Sequence, residues 1–371
     1  MKISIPKEVK NNEFRVAITP SGVHELVVSG HEVFVEAGAG TGSAISDQEY
    51  KDAGATITKD ASATWAAGDL VLKVKEPVES EYPHLREGLT LFTFLHLAAD
   101  PQLTKELAAK KVTAIAYETV QLPSRQLPLL APMSEVAGRL APLVGANTLL
   151  RQNGGNGILL GGVPGTRPAR VAVLGGGVAG TSAIAVAIGM GAEVTVLDNN
   201  LNRLRELDAL YAGRLRTIAS NSFEIERAVK DADLVIGSVL IPGAKAPKLV
   251  TNQLVKTMKP GSVLVDIAID QGGCFEDSKP TTHADPTFRV HDTVFYCVAN
   301  MPGAVPHTST YALTNATLPY VKAIANLGWK QALQADPALA LGLNTFGGAV
   351  VNEPVAFAHQ MGSMPLASVL A

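Results

Sequence analysis

The stretch VAVLGGGVAG, residues 171–180, constrains the fold more than any other part of the chain. Four aliphatic residues, Val171 to Leu174, read as a buried strand and run directly into a glycine-rich turn that opens a helix. Each glycine has its own reason to be there. Gly175 permits the tight turn, Gly177 lets backbone approach a phosphate closely, and Gly180 lets the new helix pack against the strand. The helix N-terminus then offers unpaired N–H groups to an anion. A second strand, EVTVL, comes next and ends in Asp198. A carboxylate at that place accepts hydrogen bonds from an adenosine ribose and repels a 2′-phosphate, which favours NAD over NADP.

The same alternation continues, giving six strands in all: VAVL, EVTVL, LRTIAS, DLVIGSV, SVLVDIA and VFYCVAN. Ligands of such sheets bind at the carboxyl ends of the strands. Ser220 after the third strand and Val239 and Leu240 after the fourth are therefore candidate contacts. Asp270 after the fifth, with Asn300 and Met301 after the sixth, fall at the expected nicotinamide end. Asp266, within the fifth strand, reads equally as a structural acid, and position favours Asp270. Arg203, on the helix after Asp198, either reaches the ribose or stands on a solvated face.

A chain of 371 residues exceeds what one core usually supports. Ahead of residue 127 a separate alternating series runs from ISIP to TAIAY. It breaks at LPLLAPMSEVAGRLAP, where Ser134 is expected to cap a helix following Pro132. Beyond Met301, the spacing of Leu313, Ala316, Thr317, Tyr320 and Ile324 predicts one long amphipathic helix. The C-terminal stretch is short for an independent domain and is expected to rejoin the first. The expected fold is therefore α/β with two doubly wound domains. A Rossmann NAD-binding domain, residues 130–306, is inserted in a discontinuous substrate domain, residues 1–129 and 307–371.

Formal net charge of -3 leaves no electrostatic surplus for nucleic acid. Cys274 and Cys297 are too few for a disulfide framework and lack metal-ligand spacing, so both read as reduced core residues. The N-terminal segment has no apolar core of a secretory signal, and the most apolar stretch, residues 183–192, is about half the length a membrane span needs. A cytoplasmic protein with no nucleic-acid or membrane partner is expected.

In the first series three basic residues stand at strand ends. Lys75 closes DLVLKVK, whose Leu70, Leu72 and Val74 are expected to alternate inward. His96 closes LTLFTFLHL, and Arg15 lies in the loop after ISIPKEVKNNEF. Strand ends converge on one rim, so a guanidinium, an ammonium and an imidazole are expected in one cleft. The two cations suit a carboxylate, each charged hydrogen bond contributing about 1.5–3 kcal/mol. The imidazole suits proton transfer near neutral pH. The implied substrate is a small α-substituted acid. Taken singly, a histidine is more often structural, and Lys75 beside Glu76 reads equally as a surface pair. The other histidines, at 24, 31, 84, 283, 291, 307 and 359, read as structural.

The stretches PKEVKNNEFRVAITP, LKVKEP, FTFLHLA, AIAYETV, LPLLAPMSEVAGR, VLIPGAKAPKLV, DIAIDQGG and VANMPGAVPHTSTYALTN closely resemble bacterial L-alanine dehydrogenases, through almost the whole chain. The resemblance implies reversible NAD-dependent oxidative deamination of L-alanine to pyruvate and ammonia. It implies that Arg15 and Lys75 hold the carboxylate and carbonyl of pyruvate. It makes His96 the acid and base, and Asp270 an assistant at the reacting carbon. For the cofactor it points to Ser134, Val178, Asp198, Arg203, Ser220, Val239, Leu240 and Lys279. To these it adds the runs Ile267, Ala268, Ile269, Asp270 and Val298, Ala299, Asn300, Met301. Some members bind a divalent metal through the glutamate matching Glu118 and a histidine where this chain has Leu327, so no metal is expected. A homohexamer is implied. The contrasting readings are a soluble NAD-binding component of a transhydrogenase and a non-catalytic NAD sensor.

Overall fold

Short aliphatic runs too brief for helices become the strands of two sheets. In the computed structural model, which describes residues 1–239 and 246–371, these sheets lie in two units. One is Met1–Met133 with Val305–Ala371, the other Ser134–Ala304.

The chain begins with β1 (Lys2–Ile5), β2 (Glu32–Glu36), β3 (Thr56–Thr58), β4 (Leu70–Leu72), β5 (Thr90–Thr93) and β6 (Thr113–Ala116). Their pairings with one another are parallel. The second unit contributes β7 (Arg170–Leu174), β8 (Glu193–Asp198), β9 (Leu215–Ala219), β10 (Leu234–Gly237), β11 (Val263–Asp266), β12 (Thr287–Val290) and β13 (Thr293–Tyr296). The chain then returns to the first unit with β14 (Leu343–Phe346) and β15 (Ala349–Val350), β14 pairing antiparallel to β6.

Strand order in the first unit is β3-β2-β1-β4-β5-β6-β14-β15, and in the second β9-β8-β7-β10-β11-β13-β12. Each sheet is thus wound outward in both directions from its first strand. The reversal lies between β1 and β4 in one and between β7 and β10 in the other, and such a switch point is where open α/β sheets bind ligands. The α/β class with two doubly wound sheets is the one read from the sequence.

Both faces of the second sheet are covered, which explains why its strands read as nearly unbroken apolar runs. Val171, Val173, Val194, Val196, Leu234 and Ile236 pack on one side with Ala183, Ile184 and Ala187 of the helix Val178–Gly189. Ala172, Leu174, Leu197, Val235 and Leu264 pack on the other with Ile225 and Val229. The alternation reflects the two-residue period of a strand.

Several expectations need correction. β4 ends at Leu72, so Lys75 lies in the bend beyond the strand, and Val71 and Lys73 are as buried as Leu70, Leu72 and Val74. The inward alternation fails because this strand is central and covered on both faces. Ser134 is not a cap: the helix Ala131–Leu149 already contains it. Pro132 occupies the first turn, where a missing N–H costs nothing, and so starts the helix upstream of the serine. An antiparallel edge strand, β12, joins the six anticipated in the second sheet. β3 is an addition too, because three residues carry too little periodicity to read. Among the described residues no helix is long and apolar enough to cross a membrane. The anticipated amphipathic helix spans Pro306–Leu327.

Candidate active site

In the second unit Gly175 and Gly180 meet the turn and packing constraints that their spacing implies. Gly175 has φ +100°, and a Cβ there would stand 3.0 Å from Ser238 O and 3.1 Å from Val239 Cγ2, across the switch point. A Cβ on Gly180 would collide with the Gly175 carbonyl and lie 2.8 Å from Ser238 Oγ. A Cβ on Gly177 would meet nothing within 4 Å, so the space above the turn is open. Gly177 is also the N-cap of the helix Val178–Gly189 and has no side chain to occupy its first amides. Val178, at the first helical position, is exposed. A bare helix N-terminus beneath open space fits a pyrophosphate.

Asp198 ends β8 with Oδ2 accepting the Gly176 N–H at 2.7 Å and Oδ1 accepting the Asn200 N–H at 2.8 Å. Each carboxylate oxygen accepts more than one hydrogen bond, so the acid ties the turn down and still has lone pairs for a ribose. Arg203 is more than a solvated residue. Its Nε–H donates to Gly176 O at 2.7 Å, Nη2 to Thr181 Oγ1 at 2.6 Å and Nη1 to Glu206 Oε2 at 2.6 Å. The guanidinium braces the glycine turn. Thr181 was missed in the sequence because its part is visible only once the helix folds over Arg203. Ser220 comes directly after β9, its N–H donating to Asp198 O at 2.9 Å. Val239 is half-buried beside Gly175, and Leu240 lies outside the described residues.

At the end of β11, Asp266 is the structural acid. It is fully buried and accepts the N–H groups of Ala268 at 3.1 Å, Cys274 at 2.9 Å and Phe275 at 3.3 Å, with Ser278 Oγ–H at 2.5 Å. Burial raises its pKa, against the pull of those hydrogen bonds. The loop it closes carries Ile267, Ala268 and the turn Ile269–Gln271, on which Asp270 is exposed. Val298 bridges Thr281, and Ala299 donates to Thr281 O at 3.4 Å. His283 Nε2 lies 2.8 Å from Asn300 O, and Met301 is buried at the start of the turn Met301–Ala304. The Lys279 ammonium sits over the Phe288 ring, 4.5 Å from its centroid. Cys274 and Cys297 are free and buried, and burial, then Asp266, pushes the Cys297 thiol up to about 12.

In the first unit Arg15, Lys75 and His96 come after β1, β4 and β5, three adjacent strands. Arg15 and Lys75 straddle the switch point. Arg15 is 2% exposed and forks onto Glu13, Nε to Oε1 at 2.6 Å and Nη2 to Oε2 at 2.5 Å. Burial alone would raise the Glu13 carboxyl, but the Arg15 hydrogen bonds and charge outweigh it and hold it below the usual value. Lys75 is half-buried, and among the described residues its ammonium makes neither hydrogen bond nor ion pair. Burial, and then the Arg15 charge, lower its pKa. The expected alternative of a Lys75–Glu76 surface pair does not form: Glu76 pairs with Lys10. Thr93 Oγ1–H donates to Lys75 O at 3.0 Å, tying the β4 and β5 ends together.

His96 has φ +50° and ψ +35°, a left-handed conformation that costs a non-glycine residue about 1–2 kcal/mol. Glu118 offsets this. It accepts the His96 N–H at 2.6 Å and the Leu95 N–H at 3.2 Å, and bonds to a charged acceptor contribute about 1.5–3 kcal/mol each. The imidazole stacks on Phe94, centroids 5.8 Å apart and planes 2° apart.

Sequence reasoning missed the carboxylates that hold these bases. Lys73 is fully buried between Glu8 Oε2 at 3.0 Å and Glu81 Oε1 at 2.8 Å. Glu8 Oε1 also accepts the N–H groups of Val74 at 2.6 Å and Lys75 at 3.3 Å. The one available signal was Lys73 itself, a charge continuing an otherwise apolar central strand. Among the described residues no group of three or more His, Cys, Asp or Glu gathers as a metal site.

The chain matches the family description "Alanine dehydrogenase/PNT, N-terminal domain" over residues 4–137 and "Alanine dehydrogenase/PNT, C-terminal domain" over residues 141–353. It is 62% identical over 356 residues to an alanine dehydrogenase of Mycolicibacterium smegmatis, covering 96% of each chain. A solved L-alanine dehydrogenase superposes with TM-score 0.94 at 52% identity, over 97% of this chain and 99% of that one. A transhydrogenase structure from Sinorhizobium meliloti superposes with TM-score 0.81 at 27% identity, over 95% of this chain and 99% of that one.

Proposed function

Because the chain belongs to the alanine dehydrogenase/PNT family and works as an NAD-dependent dehydrogenase of alanine, we propose how its own residues divide that reaction. The overall change is oxidative deamination of L-alanine to pyruvate and ammonia. The observation that carries the assignment is Lys75: a half-buried ammonium that makes no ion pair among the described residues, next to an arginine at the switch point of the sheet, with burial and the Arg15 charge outweighing the pull of Glu76 and Glu13. A cation left so is costly unless an anion visits it. Lys75 and Arg15 hold the substrate carboxylate and, on the product, the carbonyl. Arg15 is kept rigid by Glu13, so its charge is presented in one direction.

NAD, when bound, supplies the acceptor for the α-hydrogen and its two electrons. Gly177 and Val178 hold its pyrophosphate on the turn that Gly175 and Gly180 make possible, and Asp198 with Ser220 takes the ribose. Arg203 braces the turn beneath. Ser134, Val239, Leu240, Lys279 and the runs 267–270 and 298–301 complete the cofactor site. The chain's own remaining task is proton traffic at the substrate carbon. His96 takes a proton from the water that adds there and returns one to the departing amine, help typically amounting to a factor of about 10²–10⁴. Asp270 assists at the same carbon.

The transhydrogenase reading is weaker, since identity to that structure is 27% against 52% for the dehydrogenase structure. We further propose a discontinuous substrate domain around the inserted NAD domain, a homohexamer and a cytoplasmic location. The last is supported by two buried thiols that stay unpaired. The test is alanine-dependent growth of reduced-nicotinamide absorbance with NAD and NADP in parallel, for the wild type and Asp198→Ala. Wild type should turn over with NAD, and the variant should lose roughly tenfold or more in kcat/KM for NAD while gaining on NADP. No turnover of alanine, or a wild-type preference for NADP, defeats the assignment.

A further inference from the structure

We infer that Glu118 is a positioning residue for the acid–base histidine, fixing the backbone at His96 and through it the direction of the imidazole. This rests on the reading of His96 as the group that moves the proton. β5 and β6 run parallel in a register that sets Thr93 beside Ala116. The segments just beyond the two strands therefore emerge side by side, Leu95 and His96 from one and Glu118 from the other. The Glu118 side chain is only 15% exposed, and both its oxygens face the neighbouring backbone. Oε1 and Oε2 each lie 3.2 Å from the Leu95 nitrogen, and Oε1 is 2.6 Å from that of His96.

The two amides that Glu118 accepts lead directly into the His96 Cα, where the chain turns with a positive φ. That conformation swings the imidazole out of the strand line onto the Phe94 ring. Glu118 does not grip the ring itself: Nδ1 is 4.0 Å from Oε1, beyond hydrogen-bond distance. Among the described residues neither ring nitrogen makes a hydrogen bond, and the ring, 43% exposed, is left to exchange protons with substrate. The carboxylate thus acts through main chain rather than through a hydrogen bond to the ring.

The experiment is steady-state kinetics on L-alanine and NAD for Glu118→Ala, Glu118→Gln, His96→Ala and the His96→Ala, Glu118→Ala double variant. Each is assayed with EDTA and with added magnesium. Glu118→Ala should lower kcat about 30-fold, equivalent to about 2 kcal/mol of barrier, with both KM values within about twofold. Glu118→Gln keeps an acceptor oxygen but loses the charge, and should recover kcat to a level about threefold to fivefold below wild type. The double variant should be no slower than His96→Ala. A wild-type kcat in the alanine variant, a loss expressed mainly in KM, additive losses in the double variant, or an effect seen only with magnesium overturns the inference. If Glu118→Ala does not fold, Glu118→Gln decides: a threefold to fivefold loss confined to kcat supports it, and an unchanged kcat overturns it. Full turnover by His96→Ala would instead remove the reading of His96 on which the inference stands.

Discussion

Lys75 carries its charge where burial and the Arg15 guanidinium both oppose it. A base lowered in this way is protonated below its shifted value and neutral above it. On raising the pH into the alkaline range it gives up its proton before an exposed lysine does, and the proposed anchor for the substrate carboxylate goes with it. KM for pyruvate in the aminating direction should therefore climb with pH while kcat changes less. Lys75→Arg, whose guanidinium stays charged, should give a flatter profile; equal profiles in the two proteins would contradict the role. At this scale the sequence singled out the three bases and missed the carboxylates beside them. Lys75 and His96 stand out because each closes a recognisable run, and Arg15 because it lies in the loop after one. Glu8 and Lys73 lie 65 residues apart, and only the folded sheet makes them an ion pair. Glu118 was visible solely as a position that binds metal in some relatives. Its hold on two amides is a fact of the register between β5 and β6, which no single-residue pattern encodes.

The elements that carry these residues are short, and their loops are stiffened by buried charge. The bend after β4 is held where Glu8 joins the Lys73 ammonium to the amides of Val74 and Lys75. Burial pushes the Glu8 carboxyl up, and the Lys73 charge is what opposes that rise. Lys73→Met would leave Glu8 and Glu81 buried without their cation, a change that typically costs about 3–5 kcal/mol. Urea unfolding should reveal a loss of that size, and a variant as stable as wild type would show that the cluster contributes nothing. Helix and strand existence was readable from periodicity, whereas ends were not. The helix Ala131–Leu149 begins before Ser134 because Pro132 is itself a good first-turn residue, and β4 stops at Leu72 because Lys73 turns to its acids. By contrast the glycine turn after β7 was legible at Gly175 and Gly180, where a positive φ and close packing each select glycine.

For the whole molecule, one winding pattern is used twice, and each sheet reverses its winding beside its first strand. That much can be read from alternating runs. The additions at the sheet ends cannot: β12 and β14 pair antiparallel and carry too few residues to announce themselves. β14 covers β6, a strand buried along its length, with Thr345 Oγ1–H reaching Val112 O at 2.9 Å. A chain ending at residue 342 should leave β6 as an open apolar edge and appear mainly in the insoluble fraction, because such edges template pairing with other chains. A soluble, monodisperse truncation by light scattering would refute this. The same pairing sets a clock on biosynthesis. β6 leaves the ribosome more than two hundred residues before its partner, a delay of roughly 10–45 s at ordinary elongation rates. For that interval the nascent sheet has an unguarded flank, and the cell must shield it until the last strands are made.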